Sequence, residues 1–422
     1  YAEKPADAIK VYDKLESQVG ITREVTMQKS RIYQRMNKNE KAIEELDKLI
    51  ALDPKDSQAY GMKAEIYQAM GKKDLALDTY NKILAIDPDN PYVHLSLADF
   101  YRNGGEKEKS VEELKKAFLN KELDIGTKIS ILSSYYSLIE IHPELKPQAL
   151  EMCQLLVQAN ANEPLAHTVY GDFLMRDKKW EEAKVEYSKA KELGAKDFLV
   201  YNQLMFIYVQ LADWKSLLSE SAEAMSLFPE QPITYYFNGF ANIQNKKYND
   251  AISTLNTGVK LVVDDKRLET NFLSSLGEAY NEIRDFVKSD ESFEKALVLD
   301  PKDANVMNNY AYFLSERNEK LDRAEQLSKT SNELEPNQSS YEDTYGWIMY
   351  KQGKYSDAKI WIEKSLANGS DKSATVLEHY GDVVFHLGDN VKALEYWQKA
   401  KAAGDGASDF LERKILEKRI FE

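Results

Sequence analysis

Residues 49–60 read LIALDPKDSQAY, and residues 83–94 read ILAIDPDNPYVH. Both phrases have the same build: an apolar helical run, then Asp-Pro, then polar residues leading to an aromatic. Their prolines, Pro54 and Pro88, lie 34 residues apart. Proline cannot continue a helix and pushes the residue before it into extended backbone, so each Asp-Pro ends one helix and leads to the next. Related phrases close on Pro229 (MSLFPEQ), Pro301 (LVLDPKD) and Pro336 (NELEPNQ). The steps from Pro88 onward are 141, 72 and 35 residues, or four, two and one units of about 35. A period near 34 is the length of one helix–turn–helix repeat.

Within one period, AYGMKAEIYQAMGKKDLALDTYNKILAIDP (59–88) holds two amphipathic helices broken at Gly71, with apolar residues at three- and four-residue spacing. Small residues take the places where the helices must approach. In first helices these are Ala64, Ala98, Gly171, Gly239, Gly277, Ala311, Gly346 and Gly381. In second helices they are Ala42, Ala76, Ala149, Ala183, Ala251, Ala324, Ala358 and Ala393. This pattern resembles the tetratricopeptide repeat (TPR) family along essentially the whole chain. The resemblance implies an all-α, right-handed superhelical solenoid.

The phasing gives a partial first repeat (1–20, second helix only), eleven full repeats over 21–404 and a capping helix over 405–422. Two repeats depart from the pattern. In 121–163 the turn HPELKPQ is about four residues too long. In 198–229 both small places hold large residues, Met205 and Leu217, which should push the paired helices apart. That repeat reads as a change of curvature or a joint between two stacks, 21–197 and 198–404; in the other reading neighbouring side chains shrink and the superhelix runs on.

The 422 residues are 43% apolar and 30% charged, ample for a large core and unlike a disordered chain. Net charge is −14 and no basic patch interrupts it, so nucleic acid is not an expected partner. No apolar run approaches the ~18 residues of a membrane span. PADAIKVYDKLE (5–16) reads as the second helix of a hairpin without its first, so a longer natural protein is expected.

No phosphate-binding glycine loop and no GxSxG elbow occurs, and no catalytic residues or cofactor are expected. Cys153, the single cysteine, falls at a core-facing place in ALEMCQLLV. His379, Asp382 and His386 in HYGDVVFH could share a helix face, but the spacing is looser than HExxH, and they read as polar residues rather than a metal site. The triplets NQS at Asn337 and NGS at Asn368 fall where inter-repeat turns are expected.

The family register implies that first helices line a concave groove, which in TPR proteins commonly holds a peptide. In NNYAYFLSE (308–316), Tyr310, Ala311 and Leu314 take seam positions, while Asn305, Asn308 and Tyr312 face the groove. The same register points Asn202 and Phe206, Tyr236 and Phe240, Asp343, Trp347 and Tyr350, and Glu378 and Phe385 into it. Earlier repeats offer mainly polar residues there, such as Gln58, Glu65 and Tyr92. Aromatics dominate binding hot spots, and an Asn amide can both donate to and accept from an extended backbone. These twelve residues from Asn202 to Phe385 are the expected contacts for a protein or peptide; in the other reading a tight superhelix brings the aromatics against the next first helix, as packing only. The basic clamp that chaperone-tail-binding TPR domains use is absent; the matching places hold Asn308, Asp343 and Glu378.

The function this implies is a non-enzymatic binding scaffold. Its alternatives are an assembly rod that uses the convex face and ends, and the recruiting arm of an enzyme whose catalytic part precedes Tyr1. The closing portion is similar to long TPR proteins of bacterial cell envelopes, many of them lipoproteins of the Bacteroidota type. That resemblance implies a periplasmic or outer-membrane place, with a leader and lipid anchor ahead of Tyr1; no residue in the chain itself marks export.

Overall fold

A computed structural model describes residues 4–404 and 406–421. The extreme ends of the expected partial repeat and capping helix, with Asp405, lie outside the described residues. The all-α expectation holds: among the described residues there are 24 α-helices and no strand. The packing divides into two compact units, residues 1–200 and 201–422.

In the first unit α1 (Pro5–Val19) precedes the hairpins α2–α3 (Arg23–Arg35, Asn39–Leu52), α4–α5 (Ser57–Ala69, Lys73–Ile86) and α6–α7 (Pro91–Asn103, Lys107–Leu119). Then come α8–α9 (Ile125–Leu138, Lys146–Ala159) and α10–α11 (Pro164–Arg176, Trp180–Glu192). The long turn expected in 121–163 is residues 139–145, against three residues in the usual hairpin. The unit boundary falls within α12 (Phe198–Gln210), which pairs in sequence with α13 (Trp214–Leu227). The second unit continues through α14–α15 (Pro232–Gln244, Tyr248–Gly258), α16–α17 (Lys266–Glu282, Phe286–Leu299) and α18–α19 (Ala304–Glu316, Leu321–Leu334). It closes with α20–α21 (Ser339–Lys351, Tyr355–Ser365), α22–α23 (Ala374–His386, Asn390–Ala403) and the short α24 (Leu411–Glu417).

Local chemistry sets these boundaries. The middle residue of the hairpin turn takes left-handed φ, as at Asn37 (+56°), Gly71 (+72°), Lys178 (+56°) and Gly388 (+89°). Glycine accepts that conformation freely, and other residues adopt it at a cost. The turns therefore share a backbone shape without sharing a residue type. New repeats start on side-chain caps: Asp56 accepts from the Ala59 amide, Asp303 from Val306 and Ser373 from Val376.

Inside each hairpin the small residues are steric necessities. The first-helix small residue faces its second-helix counterpart about twelve positions on, and a bulky side chain about sixteen positions on lies over it. A Cβ added to Gly239 would run into the Leu255 side chain, and one on Gly277 would stand 2.6 Å from Phe293. Where serine replaces the second alanine, its hydroxyl donates across the seam: Ser110 to the Ala98 carbonyl at 2.7 Å and Ser289 to Gly277 at 2.8 Å. Met205 and Leu217 are both fully buried and pack with Tyr201, Ala224, Phe237 and Ala241.

In the second unit first helices touch successive first helices (α14 with α16, α16 with α18, α18 with α20), while second helices meet the first helix of the next hairpin. The layer of first helices is thus the more closely spaced one. The expected capping helix contracts to α24, and it is pinned by burial of Lys414.

Candidate first-helix binding face

The side chain immediately after each small place emerges on one face of the first-helix layer. In the second unit these residues are Phe206, Phe240, Glu278, Tyr312, Trp347 and Asp382, on α12, α14, α16, α18, α20 and α22. Phe206 is 39% exposed; Asn202, Tyr236, Phe240, Tyr312 and Phe385 are partly buried, and Asn305 is exposed. Burial pushes the phenols of Tyr236 and Tyr312 up, so both stay neutral donors.

A cavity of about 450 Å³ opens on this face. Tyr236 and Phe240 from α14, Arg267, Asn271, Ser275 and Glu278 from α16, and Asn305 and Asn309 from α18 line it, with Asp300, Lys302, Asp303 and Glu335 around them. The rings of Tyr236 and Phe240 lie nearly parallel, 6.3 Å apart. Asn309 Nδ2 donates to the side-chain Oδ1 of Asn305 at 3.2 Å, and both residues line the cavity. Sequence reasoning passed over the α16 contribution. Its signal was present: Glu278 follows Gly277 as Tyr312 follows Ala311.

Five of the twelve expected contacts are not open to a ligand. Trp347 is 7% exposed, stacks on Tyr350 (4.6 Å) and His379 (3.8 Å), and donates its indole N–H to Glu316 at 2.6 Å. Tyr350 is buried against Tyr355 and His386. Asp343 is buried and faces His379 Nδ1 at 3.1 Å. Burial opposes charge on that imidazole, but Asp343, Glu316 and Asp382 together raise its pKa. Glu378 is covered by the chain's own closing segment: Ser408 donates to it through its amide and hydroxyl, and Lys414 Nζ lies 2.8 Å away. Asn308 is buried, and its Oδ1 has no hydrogen-bond partner. The physical reason is common to the covered four: the following first helix, or the closing segment, brings a side chain onto the face. These residues belong to the packing.

The other singled-out groups have internal partners as well. His94 Nδ1 lies 2.5 Å from Glu113 and its Nε2 3.0 Å from the Pro88 carbonyl. His167 repeats this with Glu186 (2.7 Å) and the Ala161 carbonyl (3.1 Å), so both histidines staple a first helix to its own hairpin. Asp382 accepts from the Trp397 indole at 2.9 Å, and His386 Nε2 meets the Tyr350 hydroxyl at 3.2 Å. Among the described residues no three His, Cys, Asp or Glu side chains are grouped to hold a metal ion. Cys153 is fully buried, and burial with Asp172 nearby pushes its thiol far above the usual range.

In the first unit a separate cavity of about 470 Å³ lies between α4 and α6, lined by Gln58, Glu65, Tyr80, Tyr92 and Ser96. Its walls are more apolar than those of the cavity at Phe240, although the register pointed to mainly polar residues in the early repeats. Among the described residues no helix is long and apolar enough to cross a membrane.

Two family models described as tetratricopeptide repeat match residues 27–91 and 292–326. The chain is 30% identical over 125 residues to the type IV pilus assembly protein PilF of Pseudomonas aeruginosa, covering 29% of this chain and 49% of that protein. It is 26% identical over 168 residues to a TPR repeat-containing protein of the same organism, covering 40% of this chain and 26% of that protein. The match thus spans about half and a quarter of these two relatives. A tetratricopeptide repeat protein from Parabacteroides merdae has a similar fold, with a TM-score of 0.50 at 14% identity over 60% of this chain and 98% of that one.

Proposed function

The chain belongs to the tetratricopeptide repeat family, and we propose that it is a non-enzymatic scaffold whose 201–422 unit holds an extended polypeptide along its first-helix face. The observation that carries this is the in-register run of incompletely buried aromatics, Phe206, Tyr236, Phe240 and Tyr312, beside a cavity with outward amides at Asn305 and Asn309. Aromatic surface left partly in water favours a partner that covers it. The amides supply the paired donor and acceptor that a peptide backbone needs. The pilus-assembly role in the name of one relative is in keeping with a scaffold that gathers other proteins.

The test is retention of a random nonapeptide library on the immobilised full chain. Phe240→Ala and Tyr312→Ala are each expected to weaken the retained peptides about thirtyfold, the loss of ~2 kcal/mol typical of an aromatic hot spot. Both variants should keep wild-type helicity. Undiminished retention by both would move the binding surface elsewhere, in favour of an assembly rod. An envelope location follows from the resemblance of the closing repeats to envelope TPR proteins; recovery of the native protein in the cytosolic fraction would overturn it.

A further inference from the structure

We propose that the cavity at Glu278 receives the basic side chain, lysine or arginine, of the polypeptide held on the first-helix face. This rests on the groove reading above and specifies its partner. Glu278 follows the small residue Gly277 on α16, in the register of Phe240 one hairpin before and Tyr312 one hairpin after. It lines the 450 Å³ cavity beside the near-parallel rings of Tyr236 and Phe240. Among the described residues no hydrogen bond or ion pair reaches its carboxyl. The charged groups around it are Glu282 on its own helix, Asp300, Lys302 and Asp303 before α18, Glu335 after α19, and Arg267 at the start of α16. Acids outnumber bases there, and neither Arg267 nor Lys302 forms an ion pair with Glu278. A carboxyl withdrawn from water without a cation is costly, and an incoming cation relieves that cost. The adjacent aromatic faces attract an ammonium or guanidinium group for the same electrostatic reason.

The molecule already contains this arrangement in a filled form. In the last hairpin the equivalent position is Asp382, with Glu378 one turn earlier on α22. Lys414 of the closing segment enters there, with Nζ 2.6 Å from Asp382 and 2.8 Å from Glu378. Phe385 of α22 and Trp397 of α23 lie together in that hairpin, their rings 5.6 Å apart. The first-helix face of this chain thus accepts a lysine from a covering segment at one register position. At the same position on α16, among the described residues, no lysine pairs with Glu278.

Burial and the charge of Glu282 push the Glu278 carboxyl up to about 7. A bound cation lowers it again, so binding releases a proton wherever the free carboxyl is protonated. Affinity for a basic side chain should fall by up to about tenfold per pH unit below 7 and level off above it.

The experiment uses the full chain and three nonapeptide pools, randomised except for a central lysine, arginine or norleucine. At pH 8 the wild type is expected to retain a basic pool at least about tenfold better than norleucine, a methyl-ended neutral analogue. That preference should vanish at pH 5.5 and in Glu278→Gln. Phe240→Ala should weaken all pools alike. Equal retention of norleucine by the wild type, or an intact preference in Glu278→Gln, overturns the cavity proposal and leaves the groove reading standing. Retention of no pool overturns the groove reading, and the cavity proposal with it. The wild-type comparison and its pH arm decide the matter even if Glu278→Gln folds poorly.

Discussion

Gly381 in α22 lies where α23 crosses it, and adding a single methyl there gives a severe test of the repeat register. The Cβ of Gly381→Ala would stand 2.5 Å from Trp397 Cδ1 and 2.6 Å from its Nε1. Comfortable carbon contacts lie at about 3.5–4.0 Å, so the seam must open by about 1 Å. The indole has little room to yield. Trp397 is 1% exposed, its N–H donates to Asp382 at 2.9 Å, and Asp382 in turn holds Lys414 at 2.6 Å. Overpacking a core costs about 1–3 kcal/mol. Displacing the indole also loses a hydrogen bond to a carboxylate, worth about 1.5–3 kcal/mol. Against this, alanine is favoured over glycine inside a helix by about 1 kcal/mol. The net expectation is destabilisation by about 2–4 kcal/mol. Gly61 is the control: it also lies inside a helix, α4, but a Cβ there meets nothing within 4 Å. Gly61→Ala should therefore gain about 1 kcal/mol. Urea titrations followed by circular dichroism measure both. A Gly381→Ala protein as stable as wild type, or two variants shifting in the same direction, would refute the assignment of the helix seams.

Three further outcomes are expected. Glu278 has a folded-state pKa raised from 4.5 to about 7, so folding takes up a proton in that window and stability falls as pH rises through it. Glu278→Gln should abolish that slope and exceed wild-type stability at pH 8 by up to about 3 kcal/mol, with no advantage at pH 4; urea midpoints across pH decide it. Lys414→Met strands Glu378 and Asp382, both buried, at a cost of about 3–5 kcal/mol, so hydrogen exchange over 408–420 should accelerate; unchanged protection would mean the segment is held otherwise. Glu378 acts the other way in pH: Lys414 and Ser408 depress its carboxyl, so its contribution is present above about 4.5 and is lost as pH falls through the lowered folded value, whereas burial raises the Asp382 carboxyl beside it. Cys153 should resist a thiol-specific reagent in the native chain and react in urea, whereas immediate native labelling would contradict its burial.

The period and the seam were legible because they rest on steric exclusion between residues of one hairpin. Gly239 must be small because Leu255 lies over it, and both sit within one repeat of sequence. Openness of the binding face was much less legible, because it is decided by residues a repeat away. Trp347 reads as a groove aromatic by register, yet His379 of the next first helix stacks on it. Glu378 reads as a groove carboxylate, yet Lys414 covers it from a segment with no repeat register at all. Ser110 and Ser289 were missed as seam residues because a search for alanine and glycine does not see a hydroxyl that satisfies itself on the opposite helix. The α16 contribution was missed for a similar reason: a search for groove aromatics does not register a carboxylate.

The most direct test of the binding face is site-specific photocrosslinking. A benzophenone amino acid is placed singly at Phe240, at Tyr312 and, on the second-helix side, at Ile360, which is 63% exposed. Each full-length protein is irradiated with the biotinylated nonapeptide that the wild type retains best. Crosslinks from 240 and 312 with none from 360 are the expected result. A crosslink from 360 with silence at 240 and 312 would contradict the first-helix groove.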